Sequence, residues 1–378
     1  MPLRALARVN LAAIERNVAR LQAGVSGGVE LAAVVKGNGY GHGPVPVAQA
    51  ALAAGAQSLA VVTAGEAAAL RDAGIDAPIL VMGALSEEEL PVAVAAGAEV
   101  VAWTESFVER ARRARAGSGG PVVRVYVKLD TGMGRLGTRD PGEAMLVAEQ
   151  IAAGAPALEL AGAMTHFASA DEDLEFTAAQ LGRFSAFVAS MRERWPGITA
   201  HAANSAATLR EPASHFDRVR CGIAIYGCDP MNQDPGAYGL EPALELTSYV
   251  AAVKLARPGD SAGYGRRWVA AADRWIATVP IGYADGIRRA LTNNCDVLIG
   301  GRRYPLVGTV SMDNITVELG STPGDVRCGD RVTIIGVDGD ERQTVEDLAR
   351  RIGTINYEIL CGLTSRVTRA YHRDGTPV

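Results

Sequence analysis

The first 230 residues alternate short apolar runs with longer segments that are rich in alanine and charged residues. Several of these runs are continuous rather than alternating, which is typical of parallel strands buried on both faces. There are eight runs, at residues 31–35, 58–62, 79–82, 99–103, 122–130, 158–167, 198–205 and 217–227. Eight strands separated by helices predict an α/β fold with an N-terminal (β/α)8 TIM barrel.

The segments between the runs have the composition of helices, as at residues 86–98 and 175–195. Ser86 with Glu89 forms a capping-box pattern at the start of the first of these two segments. A doubly wound sheet is the alternative fold, but no Gly-x-Gly-x-x-Gly motif opens a helix after the first strand. The barrel is therefore the favoured prediction.

The chain changes character after about residue 238. Pro-Gly, Gly-Gly and Asp-Gly pairs separate β-rich runs at residues 250–260, 274–286, 295–310, 314–320 and 330–336. Such runs predict a mostly antiparallel β-domain. We therefore expect a barrel over residues 1–238 and a C-terminal β-domain over 239–378, which the first few residues of the chain could join.

Composition narrows the class of protein. The 378 residues carry 37 basic and 42 acidic side chains, so no basic excess exists to neutralise the phosphates of a nucleic acid. No apolar run reaches the ~18 residues of a membrane helix, and the N-terminus lacks the apolar core of a signal peptide. Five cysteines without a Cys-x-x-Cys pair argue against disulfides and against a metal site. We expect a cytoplasmic protein with no metal, membrane or nucleic-acid partner.

Lys36 is the first candidate for chemistry. Barrel active sites form at the C-terminal ends of the strands, and Lys36 follows the first apolar run. Desolvation lowers the pKa of a lysine and makes its amine a nucleophile suited to a Schiff base. A lysine that extends from the strand end into solvent is the alternative. Gly37 and Gly39 allow close backbone approach beside it, and Tyr40 is a possible ligand contact.

Further polar residues follow the later barrel strands. Each one alone has a plain structural explanation, such as a capped strand end or a core histidine, but together they predict one site at the mouth of the barrel. Barrels commonly bind phosphate at the loops after strands seven and eight, where a serine hydroxyl and backbone N–H groups are available. A phosphate site beside a nucleophilic lysine suggests pyridoxal 5′-phosphate. The candidate residues at the ends of the later barrel strands are Lys128, Arg135, His166, Ser205, Arg220, Gly222 and Ile223.

At these residues the sequence resembles the alanine racemase family. AVVKGNGYGHG is similar to the family's pyridoxal-lysine signature, and KLDTGMGRLG, THFASAD, HAANSAATLR, RCGIAIYG, GYGRRW, PIGYADG and SMDN match further family segments in order. The resemblance runs from about residue 9 to 370. It implies a pyridoxal-dependent enzyme of fold type III, with a barrel and a β-domain. It further implies a head-to-tail homodimer with shared active sites, which interconverts L- and D-alanine and supplies D-alanine for peptidoglycan.

The resemblance also implies a role for each candidate. Lys36 would carry the cofactor and transfer one proton, and Tyr264 of the partner subunit would be the acid/base on the opposite face. Arg220 would face the pyridine nitrogen, which a guanidinium keeps unprotonated. His166 would contact the cofactor ring and orient Tyr264, and Lys128, often carbamylated in the family, would support Arg135. Arg135, Met312 and Asp313 would contact cofactor and substrate, and Tyr283 and Arg289 would line the substrate entrance. The residues implied to bind the phosphate are Tyr40, Ser205, Gly222, Ile223 and Tyr357.

Two features depart from the family pattern. The family usually has alanine at Gly37 and Gly39, and often arginine at Thr309, near the substrate entrance. The alternatives are a broader-specificity or serine racemase, a basic-amino-acid decarboxylase of the same fold, and a non-catalytic pyridoxal-phosphate-binding protein. The Cys-Glu-Ser-Gly-Asp segment of the decarboxylases is absent from the sequence. A C-terminal domain that carries Tyr264 counts against the non-catalytic barrel.

Overall fold

The chain packs as two compact units. A computed structural model describes residues 3–118 and 120–378. One unit consists of Glu15–Gly39 and Pro44–Ile225, and the other of Met1–Ile14, Tyr40–Gly43 and Tyr226–Val378. The domain boundary at residue 238 stays a prediction.

The first of these two units contains a parallel eight-stranded barrel. The strands follow one another in chain order around the sheet, and the last pairs with the first of the eight. The backbone N–H groups of Asp217 and Arg220 donate to the carbonyls of Ala200 and Ala203 and close the remaining gap. All eight predicted runs contain a strand, so the predicted barrel is confirmed. After β1 (Leu6–Asn10), which lies outside it, the barrel strands are β2 (Glu30–Val34), β3 (Ser58–Val61), β4 (Ile79–Val81), β5 (Glu99–Ala102), β6 (Val123–Lys128), β7 (Leu158–Met164), β8 (Thr199–His201) and β9 (Arg218–Cys221).

Helices separate the barrel strands along the chain, and the one capping box that the sequence predicts, Ser86 with Glu89, is formed. The Ser86 hydroxyl accepts from the Glu89 N–H at 3.2 Å, and the Glu89 carboxylate accepts from the Ser86 N–H at 2.9 Å. No helix of the described residues is long and apolar enough to cross a membrane. The helices are α1 (Leu11–Gly24), α2 (Pro44–Ala53), α3 (Ala64–Asp72), α4 (Glu89–Ala95), α5 (Glu105–Ser118), α6 (Pro141–Ala153), α7 (Leu174–Arg194), α8 (Ser205–Arg210), α9 (Val345–Arg351) and α10 (Asn356–Cys361).

The second unit is built on a mostly antiparallel sheet, which confirms the predicted fold of this part. Besides β1, the strands of this unit are β10 (Leu244–Tyr249), β11 (Ala252–Ala256), β12 (Ser261–Ala262), β13 (Trp268–Val269), β14 (Arg274–Val279), β15 (Asp296–Ile299), β16 (Arg302–Val307), β17 (Ile315–Gly320), β18 (Arg331–Asp338), β19 (Glu341–Gln343), β20 (Thr368–Arg373) and β21 (Thr376–Pro377). The strand order in the large sheet is β11-β14-β17-β16-β15-β18-β10-β1-β20-β21, and among these neighbours only the β1–β20 pair is parallel. Helices α9 and α10 lie in this part of the chain and are not in the sequence prediction.

Candidate active site

Lys36 stands at the start of a left-handed turn that follows β2. Gly37, Asn38 and Gly39 have φ angles of 61°, 58° and 59°, and Tyr40 has a φ of 49°. A left-handed helical conformation costs an L-residue roughly 1–2 kcal/mol, whereas glycine adopts it freely. The two glycines that depart from the family pattern therefore suit the backbone in which they lie.

Glu66 fixes this turn from the neighbouring βα unit. Its carboxylate accepts from the N–H of Gly37 at 2.7 Å and from the N–H groups of Val62 and Thr63 at 2.9 and 3.2 Å. Sequence reasoning missed Glu66 as a residue that supports the site. The signal that could have found it is the Thr63-x-x-Glu66 capping-box pattern at the start of α3.

Arg220 is buried in the barrel and donates only to neutral acceptors. Its guanidinium contacts the carbonyls of Thr165 and Ala202, both at 2.9 Å, the Nδ1 of His201 at 2.8 Å and the Nδ1 of His166 at 3.2 Å. No carboxylate in the described part of the chain forms an ion pair with it. Since a guanidinium can only donate, both histidines must accept at Nδ1, and a neutral ring then carries its proton on Nε2.

The charges around Arg220 determine which of these groups are ionised. Burial, followed by the charge of Arg218, lowers the pKa of Arg220 to about 10, so Arg220 stays protonated at neutral pH. Burial, followed by the charge of Arg220, lowers the pKa of His166 and of His201 well below 6.5. Both rings are therefore neutral. His201 is a second residue that sequence reasoning missed, although it stands in the HAANSAATLR segment.

Lys128, at the end of β6, is a buried cation among other cations. Burial is the main cause that lowers its pKa to about 8; the charges of Arg220, Arg135 and Lys36 act in the same direction and Asp130 acts against them. The same groups depress the pKa of His166. The structure thus brings the predicted residues Lys36, Lys128 and Arg135 close to Arg220 and its two histidines. Together they form an electropositive barrel mouth that suits an anionic ligand.

Ser205 and the loop after β9 form a group of donors at the same end of the barrel. The buried Ser205 hydroxyl accepts from the backbone N–H of Gly222 at 2.9 Å and of Ala224 at 3.4 Å. Ile223 lies between these two and is fully buried. Converging backbone N–H groups and a hydroxyl are chemically suited to phosphate oxygens.

The remaining predicted phosphate contacts lie in the other unit. The ring of Tyr40 stacks on Tyr226, with centroids 4.9 Å apart, and its centroid is 6.0 Å from that of Tyr357. Burial raises the pKa of Tyr40, so its hydroxyl keeps its proton at neutral pH. The two tyrosines that the sequence proposes for one ligand group are therefore neighbours.

Three of the predicted substrate residues also lie together in this unit. The Tyr283 N–H donates to the Ser311 carbonyl at 3.0 Å, and the next N–H along the chain donates to the Met312 carbonyl at 3.0 Å. Asp313 accepts from Arg366 at 2.7 Å. Arg289 is exposed and begins the short 3-10 turn Arg289–Leu291.

Tyr264 projects from the turn between β12 and β13. Its side chain is 73% exposed, the largest such value among the exposed large hydrophobic and aromatic residues of the described chain. Its carbonyl accepts a hydrogen bond from the Thr309 hydroxyl at 2.6 Å. An exposed tyrosine on such a turn can reach a ligand or a second chain.

Comparison with known proteins matches both parts of the chain to one family. Residues 9–230 match the family model of the alanine racemase N-terminal domain, and residues 243–371 match that of the alanine racemase C-terminal domain. Alanine racemase from Geobacillus kaustophilus is 41% identical over 97% of this chain and 94% of its own length.

Solved structures agree in fold. Alanine racemase from Bacillus anthracis, crystallised with bound L-Ala-P, superposes with a TM-score of 0.91 at 39% identity, covering 100% of this chain and 97% of its own. Alanine racemase from the D-cycloserine producer Streptomyces lavendulae gives a TM-score of 0.92 at 36% identity, with 98% of both chains covered. With both domain models matched in order, and with relatives of this identity over nearly its full length, the chain belongs to the alanine racemase family.

Proposed function

We propose that this protein is an alanine racemase that interconverts L- and D-alanine with pyridoxal 5′-phosphate as its cofactor. The observation that carries the proposal is the buried Arg220 near Lys36 and Lys128, which has four neutral acceptors and, among the residues that the structure describes, no carboxylate partner. A transaminase or decarboxylase usually has a carboxylate opposite the pyridine nitrogen. An arginine there suits a racemase, because it keeps that nitrogen unprotonated and limits side reactions.

The residues present fit the cofactor. The electropositive mouth formed by Lys36, Lys128, Arg135 and Arg220 matches a phosphate ester, and Ser205 with its converging N–H groups matches the phosphate oxygens. When bound, pyridoxal phosphate makes the α-hydrogen of an amino acid acidic. Lys36 would hold it covalently, Arg220 would face its pyridine nitrogen and Arg135 its phenolic oxygen. Ser205, Gly222, Ile223, Tyr40 and Tyr357 would hold its phosphate.

Racemisation needs one proton-transferring group on each face of the α-carbon. The Lys36 amine and the Tyr264 hydroxyl are groups of suitable chemistry. We infer that Tyr264 comes from the partner subunit of a homodimer, and that the Nε2–H of the neutral His166 ring orients it. Met312 and Asp313 would border the substrate carboxylate, with Tyr283 and Arg289 at the entrance.

The attachment of the cofactor can be tested because the chain has only three lysines, Lys36, Lys128 and Lys254. Borohydride reduction of the purified holoenzyme, followed by peptide mapping, should fix the cofactor to the peptide that contains Lys36. Lys254 is exposed on β11 and is the internal control for non-specific labelling. Labelling of Lys128 or Lys254 in place of Lys36 would contradict the assignment.

The activity itself is tested by racemisation of a panel of L-amino acids, followed by chiral chromatography. We expect L- and D-alanine to give the highest kcat/KM. Higher values for serine or for several larger amino acids would favour a broader-specificity racemase. Cofactor binding without racemisation of any substrate would favour a non-catalytic protein.

A further inference from the structure

The turn that carries Tyr264 has little support of its own. Residues 263–267 are all exposed, and Gly263, Gly265 and Arg266 have positive φ angles of 70°, 71° and 46°. Glycine on both sides of Tyr264 gives the backbone many accessible conformations. The position of the tyrosine must therefore be fixed by contacts from other segments.

Thr309 supplies one of these contacts. Its side chain is buried, and its hydroxyl donates to the Tyr264 carbonyl at 2.6 Å. The two backbones approach closely here: a Cβ atom on Gly263 would lie 2.8 Å from the Thr309 nitrogen, and one on Gly308 would lie 2.5 Å from the Ala262 oxygen. Only glycine fits at both positions, and this close approach is what brings the hydroxyl within reach of the turn.

Asn293 supplies a second contact, at the other end of the turn. Its Nδ2 donates to the Arg267 carbonyl at 3.1 Å, and its Oδ1 accepts from the Gly308 N–H at 2.6 Å. One side chain thus joins the Tyr264 turn to the segment that carries Thr309. Asn293 itself has a φ of 54°, a conformation that asparagine tolerates better than most residues.

We propose that Thr309 and Asn293 are positioning residues for Tyr264, which they hold where it can exchange a proton with the substrate. The inference rests on the proposed role of Tyr264 as the second acid/base. A proton-transferring group must lie within hydrogen-bond reach of its target, so a shift of the turn of about 1 Å lowers the rate of chemistry strongly. Thr309, which stands where the family often has arginine, then acts on Tyr264 through the backbone carbonyl of that tyrosine.

The first test replaces the hydroxyl with a methyl group of the same shape. Thr309→Val should lower kcat roughly two- to tenfold, the effect of one hydrogen bond, with little change in KM, and Thr309→Ser should restore most of it. The α-deuterium isotope effect should rise for the alanine enantiomer from which Tyr264 removes the proton, and it should not rise for the other enantiomer, to which Tyr264 returns a proton. Thr177→Val is the control, since it removes a buried hydroxyl-to-carbonyl bond of 2.8 Å within α7.

The second readout does not depend on the cofactor or on activity. In cofactor-free protein, hydrogen–deuterium exchange of a peptide covering residues 260–269 should be faster in Thr309→Val than in the wild type, the serine variant or the Thr177→Val control. Asn293→Asp keeps the acceptor for the Gly308 N–H and loses the donor to Arg267, so it should also speed exchange. If Thr309→Val does not fold, Asn293→Asp takes its place in the same comparisons.

The outcomes separate this inference from the proposed function. If Tyr264→Phe racemises alanine at the wild-type rate, the role of Tyr264 is wrong and the positioning role is lost with it. If Tyr264→Phe is inactive while Thr309→Val and Asn293→Asp match the wild type in exchange and in both isotope effects, the positioning role alone is overturned. Equal changes in both isotope effects would also overturn it.

Discussion

In the described part of the chain, two buried cations of the barrel mouth, Arg220 and Lys128, form no ion pair with a carboxylate. Arg220 donates to four neutral acceptors, and Lys128 has a pKa lowered to about 8 by burial and by Arg220 and Arg135. Such an arrangement lowers the stability of the protein alone and favours the binding of an anion. The stability that the fold loses here is regained when an anion binds. Substitution of these residues should therefore change the stability of the cofactor-free protein.

Lys128→Met should stabilise the cofactor-free protein near neutral pH. A lysine whose folded pKa lies below its unfolded value near ~10.5 destabilises the fold below the folded pKa, and this loss disappears as pH rises towards the unfolded value. We expect the free energy of unfolding to increase by on the order of 2 kcal/mol at pH 7 and the difference to vanish above pH ~10. Calorimetry in carbonate-free buffer measures it. A variant less stable than the wild type at pH 7 would contradict the expected repulsion.

His201 gives a second prediction at this scale. His201→Leu removes one of the four acceptors of the buried Arg220, whereas His201→Asn offers an amide oxygen near the position of Nδ1. Leaving a buried charged donor unsatisfied costs about 1–3 kcal/mol, so the leucine variant should lose that much unfolding free energy and the asparagine variant less. Chemical denaturation of both cofactor-free variants decides it; equal losses would mean that packing, not the hydrogen bond, is the role of His201.

At the scale of elements, the left-handed turn after Lys36 is the least ordinary part of the barrel. Five consecutive residues, from Gly37 to Gly41, have positive φ angles, and the Glu66 carboxylate accepts a hydrogen bond from the first of them. The turn follows directly from a buried strand, so its shape decides where the Lys36 amine can point. Local sequence and a distant carboxylate act together on one position.

Gly37→Ala tests the strain in this turn. A Cβ at a φ of 61° should cost about 1–2 kcal/mol of unfolding free energy without preventing folding. The matched control is Gly182→Ala, since Gly182 lies exposed in α7 with nothing within 4 Å of its Cβ position. Alanine in a helix should there stabilise by about 0.5–1 kcal/mol. Thermal unfolding measures both, and shifts of the same sign would show that the turn is not strained by a side chain.

At the scale of the whole molecule, the proposed active site needs two chains. Lys36 belongs to the barrel unit and Tyr264 to the β-rich unit, and a closed two-fold dimer has two equivalent sites. In a hybrid of Lys36→Ala with Tyr264→Phe, one site carries both lesions and the other carries neither. Mixing two inactive variants should therefore restore activity.

Co-expression of these two variants should give roughly a quarter of wild-type racemisation, because random pairing makes half of the dimers hybrid. Differently tagged chains allow the hybrids to be purified and assayed. Co-expression of Lys36→Ala with the double variant provides no intact Lys36 and is the inactive control. Purified hybrids that remain inactive would place both residues in one chain or remove Tyr264 from the chemistry.

The sequence by itself determined the barrel, the antiparallel sheet and most candidate residues, because two-sided burial leaves continuous apolar runs and strand ends follow directly from them. It indicated that the first residues could join the β-domain but did not predict β1 as a strand, since five residues with alternating burial resemble many surface segments.

Only the tertiary structure decided which groups act on each other. The four acceptors of Arg220, the Glu66 bond to Gly37 and the contacts of Thr309 and Asn293 with the Tyr264 turn join residues that stand far apart in the chain. Hydropathy periodicity records whether a side chain is buried but not what it meets, whereas hydrogen bonds and pKa values depend on distances of a few ångströms between separate elements.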